Sequence, residues 1–303
     1  MTPKNSVPLS HIWHHLCPIL SPVQSPSSTA AKSAGSERSL SMIIDAHTHM
    51  WPDAVAKRAL AGSVPDLERR GDGTANGLMK SMAAAGIDRS VCLAVANDGA
   101  AVDKANKFSG SLDPDYFIGF GSVHPDLSVE DNISSLRRHG LKGVKIHPFF
   151  QKYALDDPRM DRLFDAMQGE FAVIIHIGSI STASSEGVCS PAMLAALVRK
   201  FPRLDVIACH FGGYRQFQAA VDTVVGLPVY LDTSWPPSLA ELNPTDVRKV
   251  IESHGPERII FASDWPMADQ GREIQAVRQL GLPESDVDNI LGLNLARLLN
   301  ISI

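Results

Sequence analysis

The chain has 303 residues, 44% hydrophobic and 20% charged, and its 28 Lys and Arg against 33 Asp and Glu give a formal charge of −5. This is the composition of a globular protein with ample core material, and its acidic balance offers no footprint for a phosphate backbone, which excludes nucleic acid as a partner. No run approaches the roughly 18 consecutive apolar residues of a membrane span, which excludes a membrane anchor of that kind.

Residues 1–41 are unlike the rest. They hold 10 Ser and 5 Pro without a steady apolar period, and read as a disordered leader. Lys4, Lys32 and Arg38 against Glu37 give this segment +2, so the remaining body is near −7. The apolar run from Ile12 to Leu20 is broken by His14, His15 and Pro18 and carries no secretory cleavage pattern. His11, His14 and His15 form a loose cluster that reads as incidental in Ser/Pro-rich chain. Met42 stands directly ahead of a well-formed strand pattern, so a mis-assigned start is the alternative to a leader. Cys17, Cys92, Cys189 and Cys209 show no paired spacing, hence no disulfide frame and no zinc knuckle. A reducing cytoplasm is the expected compartment.

From Met42 onward, short β-branched runs alternate with helical patterns. Strands are predicted at 42–49, 89–96, 116–123, 141–147, 171–177, 204–210, 229–233 and 258–263. Helices are predicted at 128–139, 158–169, 190–200, 214–225, 244–254, 269–280 and about 284–299. Near-continuous apolar strands alternating with helices imply a parallel sheet covered on both faces. Eight such units in the 262 residues of 42–303 fit a single α/β domain, a TIM-like (β/α)8 barrel of roughly 250 residues. The rival is an open doubly wound sheet, but no glycine-rich phosphate loop follows the first strand. Residues 50–88 exceed a simple connection and read as two helices joined around Gly71-Asp72-Gly73. They form either a lid or pocket wall, or a decorative insertion.

In such a barrel the carboxyl ends of the strands converge on one mouth. His47 and His49 end the first predicted strand, His147 the fourth, His176 the fifth and His210 the sixth, and Asp264 follows the eighth. Side chains alternate along a strand, so His47 and His49 point the same way. They can grip one ion while a third imidazole and a carboxylate close its shell. Such ligands suit zinc, and also manganese, iron or cobalt. By the same alternation, the Cys209 thiol is expected to point away from the ion. A lone histidine at a strand end is more often a satisfied core residue; five placed together argue for a site.

The segments IIDAHTH at 43–49, VIIHIGS at 173–179, VIACHFGG at 206–213 and IIFASDWP at 259–266 resemble the amidohydrolase superfamily. The likeness is greatest to the amidohydrolase-related branch, which includes aminocarboxymuconate-semialdehyde decarboxylase and related aromatic-acid decarboxylases. It runs from about Met42 to Ile301, with the motifs in family order. The resemblance implies that His47, His49, His176 and Asp264 bind a single catalytic divalent metal, usually zinc, with manganese or another transition metal as the alternative. It implies acid–base or electrostatic roles for His210 and Asp264.

Lys145 and His147 share a face of the fourth strand, in GVKIHP, and are candidate substrate-binding residues. For Lys145 the readings are a substrate carboxylate partner, a carboxylated bridge between two metals as in binuclear relatives, or an electrostatic or structural role. His147 either lines the pocket or holds a hydrogen bond behind the ligands. Trp51, Trp235 and Trp265 follow strands 1, 7 and 8 and either wall the pocket, Trp51 foremost, or pack beneath loops. His124, after the third strand, belongs with them, and Asp45 is placed to orient a ligand from deeper in the barrel. A serine nucleophile has no support, because no Gly-x-Ser-x-Gly elbow is present.

The leading reading is a metal-dependent hydrolase that acts through metal-activated water on a small amide, lactone or ester-like substrate, since GVKIHP resembles hydrolase-like members of the branch. The alternative uses the same mononuclear site for non-oxidative decarboxylation of a small aromatic or muconate-like acid. A non-catalytic ligand-binding barrel is disfavoured because no proposed metal ligand is missing. Related decarboxylases complete their pocket with a neighbouring subunit, which makes a homodimer a further expectation.

Overall fold

The computed structural model describes residues 42–61, 67–180 and 187–302; the expectations for residues 1–41, with His11, His14, His15 and Cys17, lie outside them. Eight short strands follow in chain order: β1 (Ile44–Thr48), β2 (Arg89–Leu93), β3 (Phe117–Ser122), β4 (Gly143–Ile146), β5 (Ala172–Ile175), β6 (Val206–Ala208), β7 (Tyr230–Asp232) and β8 (Ile259–Ile260). Each pairs in parallel with the next. The ring closes where β8 and the residues after it return to β1. There Ala46 N donates to Phe261 O at 2.9 Å, Asp264 N to His47 O at 2.8 Å and His49 N to Trp265 O at 2.7 Å. The architecture is the TIM-like (β/α)8 barrel that the alternating patterns predict.

Strand alternation sorts the core into two layers. Ile44 and Ala46 of β1, Val91 and Leu93 of β2, Ile118 and Phe120 of β3, Ile174 of β5, Ile207 of β6 and Ile260 of β8 pack together inside the barrel. Intervening residues such as Val144, Ile146, Val173, Ile175, Val206 and Leu231 pack outward against the helices. Burial of both strand faces stabilises the ring, at roughly 1.5–3 kcal/mol for each fully buried Val, Leu, Ile or Phe. Phe120 is wholly buried, and its register partner on β4 is Gly143, which leaves room for the ring.

Helices Val129–Arg138, Pro191–Lys200, Pro244–His254 and Gln270–Arg278 fall where the apolar period predicts. Each is capped by the residue ahead of it, since the side chains of Ser128, Ser190, Asn243 and Asp269 accept backbone N–H groups that the first turn leaves unpaired. One expectation is corrected and one helix is added. The helix predicted over 214–225 shortens to Phe217–Thr223, because Arg215 takes a φ of 58° that a right-handed helix does not contain. Helix Val102–Gly110 is missing from the sequence reading. Its buried face consists of Val102, Asn106 and Ser109, so no apolar period announces it. The last predicted helix is present without a break over 284–298, with a π turn at Asn289–Leu293 between Glu284–Asp288 and Asn294–Leu298. The Ile290 carbonyl in that turn accepts Phe261 N at 2.8 Å, which ties the carboxyl-terminal helices to the barrel beside β8.

The long connection after β1 holds helices Asp53–Ala61 and Ala75–Ala85, as expected. No helix among the described residues is long and apolar enough to cross a membrane.

Gly143→Ala would set a methyl against the Phe120 ring and 2.5 Å from Ala172 O. It is expected to lower stability by about 1–3 kcal/mol, and adding Phe120→Leu should restore part of that loss. Urea denaturation of the single and double variants measures both.

Candidate metal centre

The pairing register of β1 with β2 shifts between Asp45 and Thr48. Ala46 packs inside the barrel with Ile44, yet His47 and His49 also line the cavity at its mouth. The irregularity turns His47 inward, out of strict alternation, as a bulge does. The β8–β1 seam then sets Asp264 beside the pair. His47 Nε2 and His49 Nε2 lie 3.2 Å apart, and Asp264 Oδ1 is 3.3 Å from the first and 3.6 Å from the second.

Outer partners fix the tautomers. His47 Nδ1–H donates to Asp232 Oδ2 at 2.9 Å, and His49 Nδ1–H donates to Leu93 O at 3.3 Å. Both Nε2 atoms therefore present lone pairs to each other and to a carboxylate oxygen, an arrangement that repels itself unless a cation or a proton lies between. Ligand atoms held about 2.0–2.2 Å from one ion stand roughly 3–3.6 Å from one another. The three atoms fit that requirement, so His47, His49 and Asp264 suit a divalent ion.

Burial, reinforced by Lys145, lowers His49 to about 3. Burial also lowers His210 to about 4, against the opposing pull of Asp232. His47, His147 and His176 are likewise held well below the usual histidine value, chiefly by burial. All five are neutral imidazoles at neutral pH, the form that binds metals. The His47–Asp232 contact is therefore a hydrogen bond to a carboxylate rather than an ion pair. Burial pushes Asp264 well above the ordinary carboxylate range, and a cation beside it reverses that push.

The other sequence-predicted residues divide. His210 Nδ1–H is shared between Ser234 O at 3.2 Å and Ser234 Oγ at 2.8 Å. Its Nε2 accepts from His176 Nδ1 at 3.1 Å, which leaves His176 Nε2 buried and without a partner. His176 thus lines the same cavity but stands outside the His47–His49–Asp264 triplet. His147 lines the cavity too, stacked on His176 at 4.2 Å. Trp51 forms part of the wall. Trp235 and Trp265 are buried away from it, Trp235 against Tyr214 and Phe217, and Trp265 beneath Gly71. His124 bonds Gln151 O at 3.1 Å, outside the cavity lining.

Lys145, expected against a substrate carboxylate, is wholly buried behind the imidazoles, with Nζ 3.2 Å from His47 Nε2 and 3.1 Å from Cys209 Sγ. Asp45 touches no ligand imidazole. Its carboxylate accepts the backbone N–H groups of His47 and Ser263, each at 3.0 Å, so it orients the backbone at both sides of the seam.

The expectation for Cys209 is corrected. Its thiol belongs with His47 and His210 in a second cluster of possible ligands. β6 ends at Ala208, and His210 adopts a φ of 59°, so alternation no longer separates the two neighbours. Asp264 also has a left-handed backbone, at φ 66°. Strained residues of this kind collect at functional sites.

Asp232 was not foreseen. Besides His47, it accepts His210 N at 2.7 Å, Ser234 N at 3.1 Å and Ser234 Oγ at 2.6 Å. The signal for it was a carboxylate closing the apolar strand VYLD. Asp232→Asn keeps an oxygen for the three donors that meet Oδ1 and turns an amide toward His47 Nδ1. That amide drives the His47 proton to Nε2 and removes its lone pair. Affinity for Mn2+ or Zn2+, measured by chelator competition, should fall about 10- to 100-fold, with little change in thermal stability.

The loop after β7 brings Pro236 to the cavity wall and is anchored by Glu273, whose Oε2 accepts Leu239 N at 2.7 Å. Burial raises Glu273 from 4.5 to about 7. The folded chain therefore keeps this proton at a pH where the unfolded chain has lost it. The resulting stabilisation is full below pH 4.5 and is lost as pH rises through about 7. Urea titrations at pH 5 and 8 should show Glu273→Gln escaping a loss of about 2–3 kcal/mol that wild type suffers.

Fold and site together define an α/β barrel with a metal-type donor cluster at the carboxyl ends of its strands. A family model described as amidohydrolase matches residues 44–301, and the chain belongs to that family. Among solved structures, an uncharacterised TIM-barrel protein from Bordetella bronchiseptica superposes with a TM-score of 0.66 at 20% identity, covering 86% of this chain and 99% of that one. The 5-carboxyvanillate decarboxylase of Sphingomonas paucimobilis gives 0.62 at 19% identity, covering 86% and 100%. A dihydroxybenzoic acid decarboxylase from Polaromonas, with bound manganese and 2-nitroresorcinol, gives 0.66 at 16% identity, covering 86% and 98%. At these identities the likeness is one of fold. No curated protein sequence matches the chain.

Proposed function

We propose that this protein is a metal-dependent carboxy-lyase that removes a carboxyl group, without oxidation, from a small aromatic or conjugated acid. In this reading His47, His49 and Asp264 would hold one divalent ion, and His176, on the same cavity wall with its Nε2 unpartnered, is the candidate for a further ligand. The observation that carries the reading is the cavity. It has a volume of about 440 Å³, with imidazoles and Asp264 on one part of its lining and largely apolar walls elsewhere, among them Trp51, Val55, Leu67, Phe150 and Met267. That is room for a monocyclic acid. Apolar surroundings raise the energy of a carboxylate relative to the charge-dispersed state in which carbon dioxide departs. The likeness of fold to two aromatic-acid decarboxylases supports the same reading and sets it ahead of hydrolysis.

Bound there, a divalent ion supplies Lewis-acid polarisation of a substrate oxygen, and both manganese and zinc suit the donor set. The reaction breaks the carbon–carbon bond to the carboxylate, and the carbon left behind takes a proton. Asp264 and His210 both line the cavity and are the acid–base groups that can pass it. Ser234 and Asp232 hold the His210 ring and its backbone in place. The described cysteines, Cys92, Cys189 and Cys209, are free and buried, which supports a reducing compartment such as the cytoplasm.

Hydrolysis is the second reading. Asp264 beside two neutral imidazoles is also placed to take a proton from water. The test is a panel of aromatic acids carrying 13C in the carboxyl group, supplied to protein loaded with Mn2+ or Zn2+. Release of labelled carbon dioxide is expected, with loss on chelation and a fall of roughly 100-fold or more in Asp264→Asn and His176→Ala. Turnover of lactones or amides without carbon dioxide would select hydrolysis. Binding without turnover in any metal state would sink both.

A further inference from the structure

Gly71-Asp72-Gly73, in the connection after β1, forms a turn that spans the β8–β1 seam. On the β8 side Arg70 N donates to Pro266 O at 2.7 Å, and on the β1 side Gly73 O accepts Trp51 N at 2.9 Å. Asp72 fixes the shape of the turn, since its Oδ1 accepts Thr74 N at 2.9 Å and the Thr74 hydroxyl at 2.8 Å. The same hydroxyl oxygen caps helix Ala75–Ala85 by accepting Gly77 N at 3.0 Å. A lid that swings open would leave such a turn free of the barrel. This one is bonded to both sides of the seam.

Between those two bonds Gly71 lies against Trp265. A Cβ on Gly71 would stand 2.3 Å from Cε2 and Cζ2 of the indole and 2.6 Å from its Nε1, so no side chain fits there unless the ring or the turn moves. Trp265 has little room to yield. It is 1% exposed, its N–H donates to Ser263 Oγ at 3.0 Å, and its O accepts His49 N at 2.7 Å. It also follows Asp264, whose left-handed backbone at φ 66° persists only where the surroundings over-determine it. Across the seam Trp51, held by Gly73 O, stacks on His49 with the ring centroids 6.3 Å apart. The turn therefore bears on the neighbour of each half of the donor cluster.

We propose that Gly71 is a positioning residue of the metal centre: the turn over 70–74 is a fixed clasp that presses Trp265 onto the seam and so holds the Asp264 carboxylate against His47 and His49. The inference rests on the reading of those three residues as metal ligands, and not on which reaction the ion serves. Donor atoms that must all meet one ion at about 2.0–2.2 Å tolerate little displacement, so a shift at Trp265 reaches metal affinity through Asp264.

The test is a cycle of Gly71→Ala, Trp265→Phe and the double variant in the full chain. Mn2+ affinity is measured by chelator competition, and hydrogen exchange of the His49 and Asp264 amides is followed on metal-free protein. Each single variant should weaken Mn2+ binding about 10-fold or more, the first by crowding the indole and the second by leaving the clasp without its anchor. The double variant should bind more tightly than either, because the smaller ring makes room for the methyl. Both amides should exchange about 10-fold or more faster in the single variants and slow again in the double. Gly86→Ala controls for a general loosening of the insertion. Gly86 ends helix Ala75–Ala85 at a φ of 71° with nothing within 4 Å of its absent Cβ. Its substitution should lower thermal stability yet leave Mn2+ affinity and both amides within about twofold of wild type. Unchanged affinity in Gly71→Ala, a double variant no better than Trp265→Phe, or equal weakening by Gly86→Ala would overturn the proposal. If Gly71→Ala does not fold, the comparison of Trp265→Phe with the double variant decides. A wild type that binds no Mn2+ while exchange follows the cycle would reject the metal ligands and keep the clasp. Mn2+ binding by wild type with exchange and affinity indifferent to the cycle would do the reverse.

Discussion

Closure of the barrel between its first and last strands is the constraint on which the site depends. The two strands are remote in sequence, and backbone hydrogen bonds from Ala46, His49 and Asp264 across the seam fix their relative height. Those bonds carry the His47–His49 pair on one side and Asp264 on the other. Asp45 reinforces the same seam, its carboxylate accepting backbone N–H groups from both sides and the Gln270 amide at 2.7 Å. Fold and donor geometry are thus one construction. A slip of one residue at this seam would rotate Asp264 away from the imidazoles.

A second layer of hydrogen bonds turns proximity into chemistry. Imidazoles crowded in a dry interior have to be neutral, and burial enforces that. Neutrality alone leaves open which nitrogen carries the proton. Asp232, Leu93 O and Ser234 settle it by accepting from Nδ1 of His47, His49 and His210, so that every Nε2 faces inward as an acceptor. Asp232 does most, because one carboxylate holds the His47 ring, the His210 backbone and the Ser234 hydroxyl together. Such outer partners ordinarily govern both ligand orientation and metal affinity.

Much of this was legible in the sequence. Strand runs buried on both faces announce a parallel barrel, and the strand-end histidines mark its mouth. What alternation could not supply were the places where it stops. The β1 irregularity between Asp45 and Thr48 and the left-handed backbone of His210 and Asp264 depend on pairing partners far along the chain. The first decides that His47 faces inward after Ala46, and the second brings Cys209 and His210 to the same cluster. Asp232 escaped because it lies inside the predicted strand 229–233, where nothing in the local pattern shows that His47 and His210 converge on it. Helix Val102–Gly110 escaped because its buried face is polar, with Asn106 bonded to Ser122 O and Ser135 Oγ, each at 3.1 Å. The sequence alternatives for Trp235 and Trp265 resolve toward packing, since Trp235 is covered by Tyr214 and Phe217, which follow β6, and Trp265 by Gly71 in the connection after β1.

The position of Lys145 bears on how many ions the site can hold. Its amine is enclosed behind the floor, with His47 Nε2 and Cys209 Sγ as neighbours, and its charge helps depress His47 and His49. A positive group there opposes a second cation at the same depth, because like charges a few ångströms apart in a low-dielectric interior repel strongly. Carboxylation would reverse the sign and bridge two ions, but it would have to place a bulkier anion in a position that is wholly buried and shared with a thiol. The converging atoms of His47, His49 and Asp264 mark one cation position at the mouth, and the second cluster, of His47, Cys209 and His210, shares His47 with it and has the Lys145 amine 3.1 Å from its thiol. The proposed decarboxylation, which polarises one substrate oxygen, asks for no more than a single ion.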